Sequence, residues 1–89
     1  MQVYRKDPDA TLDYTVDWSA WLATGDIIVS SDWVVPSGLT EVIDAHTQTS
    51  ATVWLSGGVE GAEYLVTNRV TTDDGRIDDR TIVVRCVST

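Results

Sequence analysis

The sequence predicts an all-β fold: a single domain over residues 1–89, built as an antiparallel β-sandwich of six to seven strands. Three observations carry this. Short runs rich in Val, Ile, Thr, Tyr and Trp alternate apolar and polar residues, as half-buried strands do. Turn residues punctuate the chain roughly every ten positions, the rhythm of a sandwich or barrel. One Asp-Gly pair, Asp74-Gly75, sits between two long alternating arms and marks a tight hairpin.

The first clear strand is Leu12 to Trp18, with Leu12, Tyr14, Val16 and Trp18 on one face and Asp13, Thr15 and Asp17 on the other. Ser19-Ala20-Trp21-Leu22-Ala23 fits a single helical turn, with Ser19 as a weak cap, broken by Thr24-Gly25-Asp26. Ile27 to Val35 is a second strand, stopped by Pro36-Ser37-Gly38. Leu39 to Thr47 is a third, placing Leu39, Glu41, Ile43, Ala45 and Thr47 on one face. Gln48-Thr49-Ser50 turns the chain into Ala51–Leu55, which Ser56-Gly57-Gly58 closes. Ala62 to Thr72 and Ile77 to Val87 form the last hairpin around Asp74-Gly75, where glycine supplies the positive φ of a tight turn. Trp33, Trp54, Tyr64, Val66, Ile82 and Val84 are the expected core.

Composition narrows the function. An apolar fraction of 43% suits a globular domain and is too high for disorder. No stretch reaches the ~20 apolar residues of a membrane helix, and the N-terminal residues lack the apolar core of a secretory signal. Fourteen acidic residues against six basic ones give a net charge of −8, which repels phosphate backbones and argues against nucleic-acid binding. Cys86 stands alone, so it forms no intrachain disulfide; in an apolar strand it reads as a small buried hydrophobe.

No catalytic constellation emerges. His46 lies at a polar strand end with no nucleophile motif, and reads as a surface residue. Asp7, Asp9 and Asp13, and Asp73, Asp74, Asp78 and Asp79, are acidic clusters without calcium-loop spacing. In the second, Arg76 and Arg80 interleave and can neutralise the carboxylates. No metal or cofactor is expected, nor the cleft that paired carboxylates of a glycosidase need. Four tryptophans in so short a chain exceed what one core requires. Two readings stand level: all four pack inside, or at least one serves an interface, where Trp is enriched. The Trp18 and Trp21 pair, rimmed by Lys6, Asp7 and Asp17, is the candidate interface.

Gly61-Ala62-Glu63-Tyr64 looks like the tyrosine corner of immunoglobulin-like folds, a Tyr just past a turn whose hydroxyl bonds nearby backbone. Without the antibody cysteine pair, the sandwich is closer in kind to fibronectin type III-like domains. Lys6-Asp7-Pro8-Asp9, Leu12-Asp13-Tyr14 and Asp17-Trp18-Ser19-Ala20-Trp21-Leu22 resemble the opening of small tailed-phage and prophage proteins described as fiber–tail adaptor or tail proteins. Ala51-Thr52-Val53-Trp54-Leu55-Ser56-Gly57-Gly58, Tyr64, Thr67-Asn68-Arg69, Gly75-Arg76 and Asp78-Asp79-Arg80-Thr81 resemble their second half. The resemblance implies a virion component present in several copies, assembled in the bacterial cytoplasm, that joins tail or tail-fibre parts and oligomerises in the particle. The competing function is a small carbohydrate-binding module, in which exposed Trp platforms beside Asp side chains would hold sugars.

Overall fold

A computed structural model describes residues 2–88. Seven strands run in chain order: β1 (Gln2–Lys6), β2 (Leu12–Asp17), β3 (Ile28–Val34), β4 (Leu39–His46), β5 (Ser50–Gly57), β6 (Glu63–Thr72) and β7 (Ile77–Cys86). They form a four-stranded sheet in the order β1-β7-β6-β3 and a three-stranded sheet in the order β2-β5-β4. Numbered as an immunoglobulin domain, β2-β5-β4 is B-E-D and β7-β6-β3 is G-F-C. The fourth strand pairs within the B-E sheet, so the immunoglobulin half of the expectation fits the topology more closely than the fibronectin half.

Two features depart from the sequence reading. The segment Gln2–Lys6 is a strand, and it pairs parallel to β7, with Gln2 opposite Ile82 and Lys6 opposite Cys86. The sandwich is therefore mostly, not wholly, antiparallel. A parallel edge strand leaves no hairpin signal, because its partner lies at the far end of the chain. The second departure is bulging: β3 has an extra residue, Val29, between Ile28 and Ser30, and in β4 Glu41 faces Leu55, whereas Ile43 faces Trp54. One extra residue flips the pleat, so Glu41 and Ile43 occupy opposite faces rather than the single face that strict alternation implies.

The last hairpin forms as expected. The Gly75 amide donates to Thr72 O at 2.9 Å and the Thr72 amide to Arg76 O at 2.8 Å, with Gly75 at φ 87°. The tyrosine corner is also present: the Val59 amide donates to Tyr64 Oη at 3.0 Å. Tyr64 packs tightly enough against Gly38 that a Cβ there would lie 2.8 Å from its ring.

Between the sheets lie Tyr14, Val16, Trp18, Val53, Leu55, Val66, Val70, Ile82, Val84 and Cys86, all buried. The tryptophan assignments change places. Trp18 is fully buried, Trp33 is half-buried against the core, and Trp54 is 41% exposed. Parity explains Trp54: Ala51, Val53 and Leu55 all point inward, so the residue between Val53 and Leu55 must point out.

Candidate docking surface

Trp18 leaves β2 at its C-terminal end, and its amide donates to Thr49 O at 2.9 Å. The amides of Trp21 and Leu22 both donate to Trp18 O, at 2.9 and 3.1 Å, closing the single turn expected from the sequence. Its cap is Asp17, whose carboxylate accepts from the Ser19 amide at 2.9 Å. That bond, with one from the Ser19 side chain, holds the Asp17 carboxyl below its ordinary pKa.

The turn folds Trp21 back onto Trp18, edge to face, with ring centroids 5.1 Å apart. Two arginines from the β6–β7 hairpin close the stack. The Arg76 guanidinium lies 4.1 Å from the centre of the Trp21 ring, and that of Arg80 lies 4.4 Å from the Trp18 ring. Each also donates to a main-chain oxygen, Arg76 to Trp21 O at 3.2 Å and Arg80 to Asp17 O at 2.7 Å. These arginines therefore face the tryptophans, and of the aspartates they were expected to neutralise, Asp79 is paired instead by Arg69 at 2.7 Å. Planar, delocalised guanidinium suits such stacking better than an ammonium would.

Beneath the stack runs a buried polar chain. Trp18 Nε1 donates to Asn68 Oδ1 at 2.9 Å, and Asn68 Nδ2 donates to Ser31 Oγ at 2.9 Å and Asp32 O at 3.0 Å. Asn68 is fully buried, so these bonds satisfy an amide that would otherwise be costly to desolvate. They tie the end of β2 to both β6 and β3, locking the two sheets together. Beside the stack, Asp17 and Arg80 line a cleft of about 480 Å³ between β2 of one sheet and β1 and β7 of the other, along with Tyr4, Thr15 and Thr81.

The expected interface set is thus divided. Asp17, Trp18 and Trp21 come together, but Trp18 is wholly covered and offers no surface of its own. Trp21 remains half-exposed and Asp17 exposed. Lys6 and Asp7 sit at the other end of the sandwich, past the Lys6–Cys86 pairing, whereas Asp17 lies beside Gln2 and Arg80. Lys6 is not a rim residue: it is 1% exposed, and its Nζ donates to Gly57 O at 2.6 Å and Asp7 O at 3.0 Å. It fastens β1 to the end of β5. Arg76 and Arg80 belong to this surface and were missed, because the sequence read their charge against neighbouring aspartates rather than across the fold.

His46 is exposed and Cys86 buried. Among the described residues, no three His, Cys, Asp or Glu side chains converge as metal ligands would.

These features define a small immunoglobulin-type β-sandwich with an arginine-clamped tryptophan pair at one end. The chain belongs to a podophage family: the family model described as Podophage GP4 fiber-tail adaptor protein gp77 matches residues 6–85. No curated protein compared with the chain matches it significantly.

Proposed function

We propose that the chain acts in the virion as the link between tail and fibre, by protein–protein docking rather than catalysis. Family membership supports the adaptor role. The observation that carries the docking surface is the Arg76–Trp21–Trp18–Arg80 stack, with Asp17 at its edge. Trp and Arg are the residue types that dominate binding hot spots, and here the buried members hold the exposed ones rigid, which lowers the entropy lost on docking. In this reading several copies assemble with the tail in the host cytoplasm. The stack supplies little for the sugar-binding alternative, since Arg76 already occupies a face of Trp21.

The test is capture of purified tail and fibre components by wild-type protein and by the Trp21→Ala and Arg76→Ala variants. Trp21→Ala is expected to weaken capture by about 2 kcal/mol or more, and Arg76→Ala by a smaller amount, with both variants folded by circular dichroism. Equal capture by all three proteins would move the docking surface elsewhere.

A further inference from the structure

The two sheets differ in charge. Strands β2, β4 and β5 contain Asp13, Asp17, Glu41 and Asp44 and no lysine or arginine. Five of the six cations of the chain, Arg5, Lys6, Arg69, Arg80 and Arg85, lie on the strands of the other sheet, and Arg76 lies in its hairpin.

The acidic sheet also carries uncovered apolar surface. On its outer face Trp54, 41% exposed, sits between Asp13 of β2 and Ile43 of β4, which is 61% exposed. The bulge residue Val42 beside Ile43 is 56% exposed. Strand β4 is the edge of its sheet, and every residue from Thr40 onward is exposed. Glu41 and Asp44 lie on the other side of this edge strand, since they stand opposite the inward-pointing Leu55 and Val53. Their carboxyls interact, and the Glu41 pKa is raised by partial burial and by the neighbouring Asp44 charge. No cation relieves that pair in the described structure, which a positively charged partner would do.

We propose that the outer face and β4 edge of the three-stranded sheet form a second docking surface, whose occupant is a basic, extended segment of another protein. Paired along β4, the segment would alternate, with apolar residues over Ile43 and Trp54 on the outer face and lysines or arginines reaching Glu41 and Asp44 on the other. Addition of a strand to an exposed sheet edge is a recurrent form of peptide recognition, in which alternate side chains set the specificity. A second copy of the chain fits poorly: antiparallel pairing of two β4 edges about Val42 and Ile43 would set Glu41 against Asp44, and like charges directly opposite are destabilising. The inference rests on the adaptor reading only in taking the occupant to be a protein. It gives the molecule two chemically different docking surfaces, one built on arginine and tryptophan and one acidic.

The probes are two synthetic peptides, one alternating lysine with valine and one alternating glutamate with valine, titrated into 15N-labelled protein at low and high salt. The lysine peptide is expected to bind saturably, to shift the amides of Thr40–His46 and the Trp54 indole, and to lose affinity at least tenfold at high salt. The glutamate peptide should not bind. Trp54→Ala and Asp44→Asn should each weaken the lysine peptide several-fold; both residues are exposed, so the variants should stay folded. Shifts confined to the Leu65 and Arg85 face, equal binding of both peptides, or unchanged affinity in the variants would overturn the proposal. So would β4 shifts that appear with protein concentration alone, which would make the occupant a second copy. Absence of the chain from purified virions would refute the adaptor reading and leave the peptide result standing.

Discussion

Trp18 and Trp54 make opposite predictions about stability. Trp18 is fully buried and bonded to Asn68. Replacing it by Ala removes a large core side chain and leaves Asn68 Oδ1 without its donor, so the expected cost is about 3–5 kcal/mol. For a domain of ordinary marginal stability that approaches unfolding. Trp54→Ala should change the urea midpoint little, because much of the ring already meets water. Equilibrium urea unfolding of the two variants decides this, and a larger loss at Trp54 would reverse the core assignment. The alternation of Leu12, Tyr14, Val16 and Trp18 already put Trp18 on the inward face; the pairing of Trp18 with Trp21 pulled the interface reading the other way. Nothing in the sequence announces that Arg80, 62 positions later, covers the ring. Titration belongs to this scale too. Burial tends to raise the Asp26 carboxyl, but bonds from the Thr72 hydroxyl and the Asp74 and Ile27 amides, with the Arg76 charge, outweigh it and hold the carboxyl low. Arg69 also lowers the Asp79 carboxyl through a bidentate contact, but that pair is exposed and weighs little on stability. A depressed carboxyl pKa contributes stability above the unfolded value and loses it as pH falls through the folded one. The melting temperature should therefore hold down to about pH 5 and fall below about pH 4, with a shallower fall in Asp26→Asn. At the other extreme, burial, with smaller contributions from Cys86, Asp13 and Tyr4, pushes Tyr14 up to about 12 from 10.0. Ionisation then favours the unfolded chain, so stability should decline between those two values, and less so in Tyr14→Phe.

Among the elements, the β6–β7 hairpin was legible almost whole, because Asp74-Gly75 marks the turn and both arms alternate cleanly. The corner that precedes it was legible through Tyr64. What the corner encloses was not. Gly58, at φ 102°, faces the sulfur of Cys86 so closely that a Cβ would collide with it, and Leu39 also lies near. Gly58→Ala is expected to destabilise severely, by strain at positive φ as well as by collision. The variant should recover in part when Cys86 is reduced to Ala, since only the collision is relieved. Thermal unfolding of the single and double variants checks this, and a harmless Gly58→Ala would mean the corner packs differently. Tyr64→Phe should cost about 1 kcal/mol, the net worth of the bond from the Val59 amide. Strand β1 and the two bulges, at Val29 and Val42, stayed hidden for a different reason. Parallel edge pairing is set by a partner some 80 residues away, and a bulge is one residue that breaks the very periodicity used to read the strand.

At the scale of the whole molecule, the sandwich is elongated, 42 × 22 × 18 Å, with most of its cations on one sheet and only acids on the strands of the other. Net charge and the lack of a disulfide partner were readable at once; the separation of charge between sheets required the strand order. An adaptor has to meet two neighbours, and two surfaces of unlike chemistry would keep them from being exchanged. Surface ion pairs such as Arg69–Asp79 add little to folding, so high salt should weaken docking more than it weakens the fold. The most direct test of the adaptor role is the fibre content of particles assembled without this chain, measured by quantitative mass spectrometry of purified virions. The account predicts particles that carry tails but are depleted of fibres, restored by the wild-type chain and only poorly by Trp21→Ala. Virions with a full complement of fibres in the absence of the chain would contradict it.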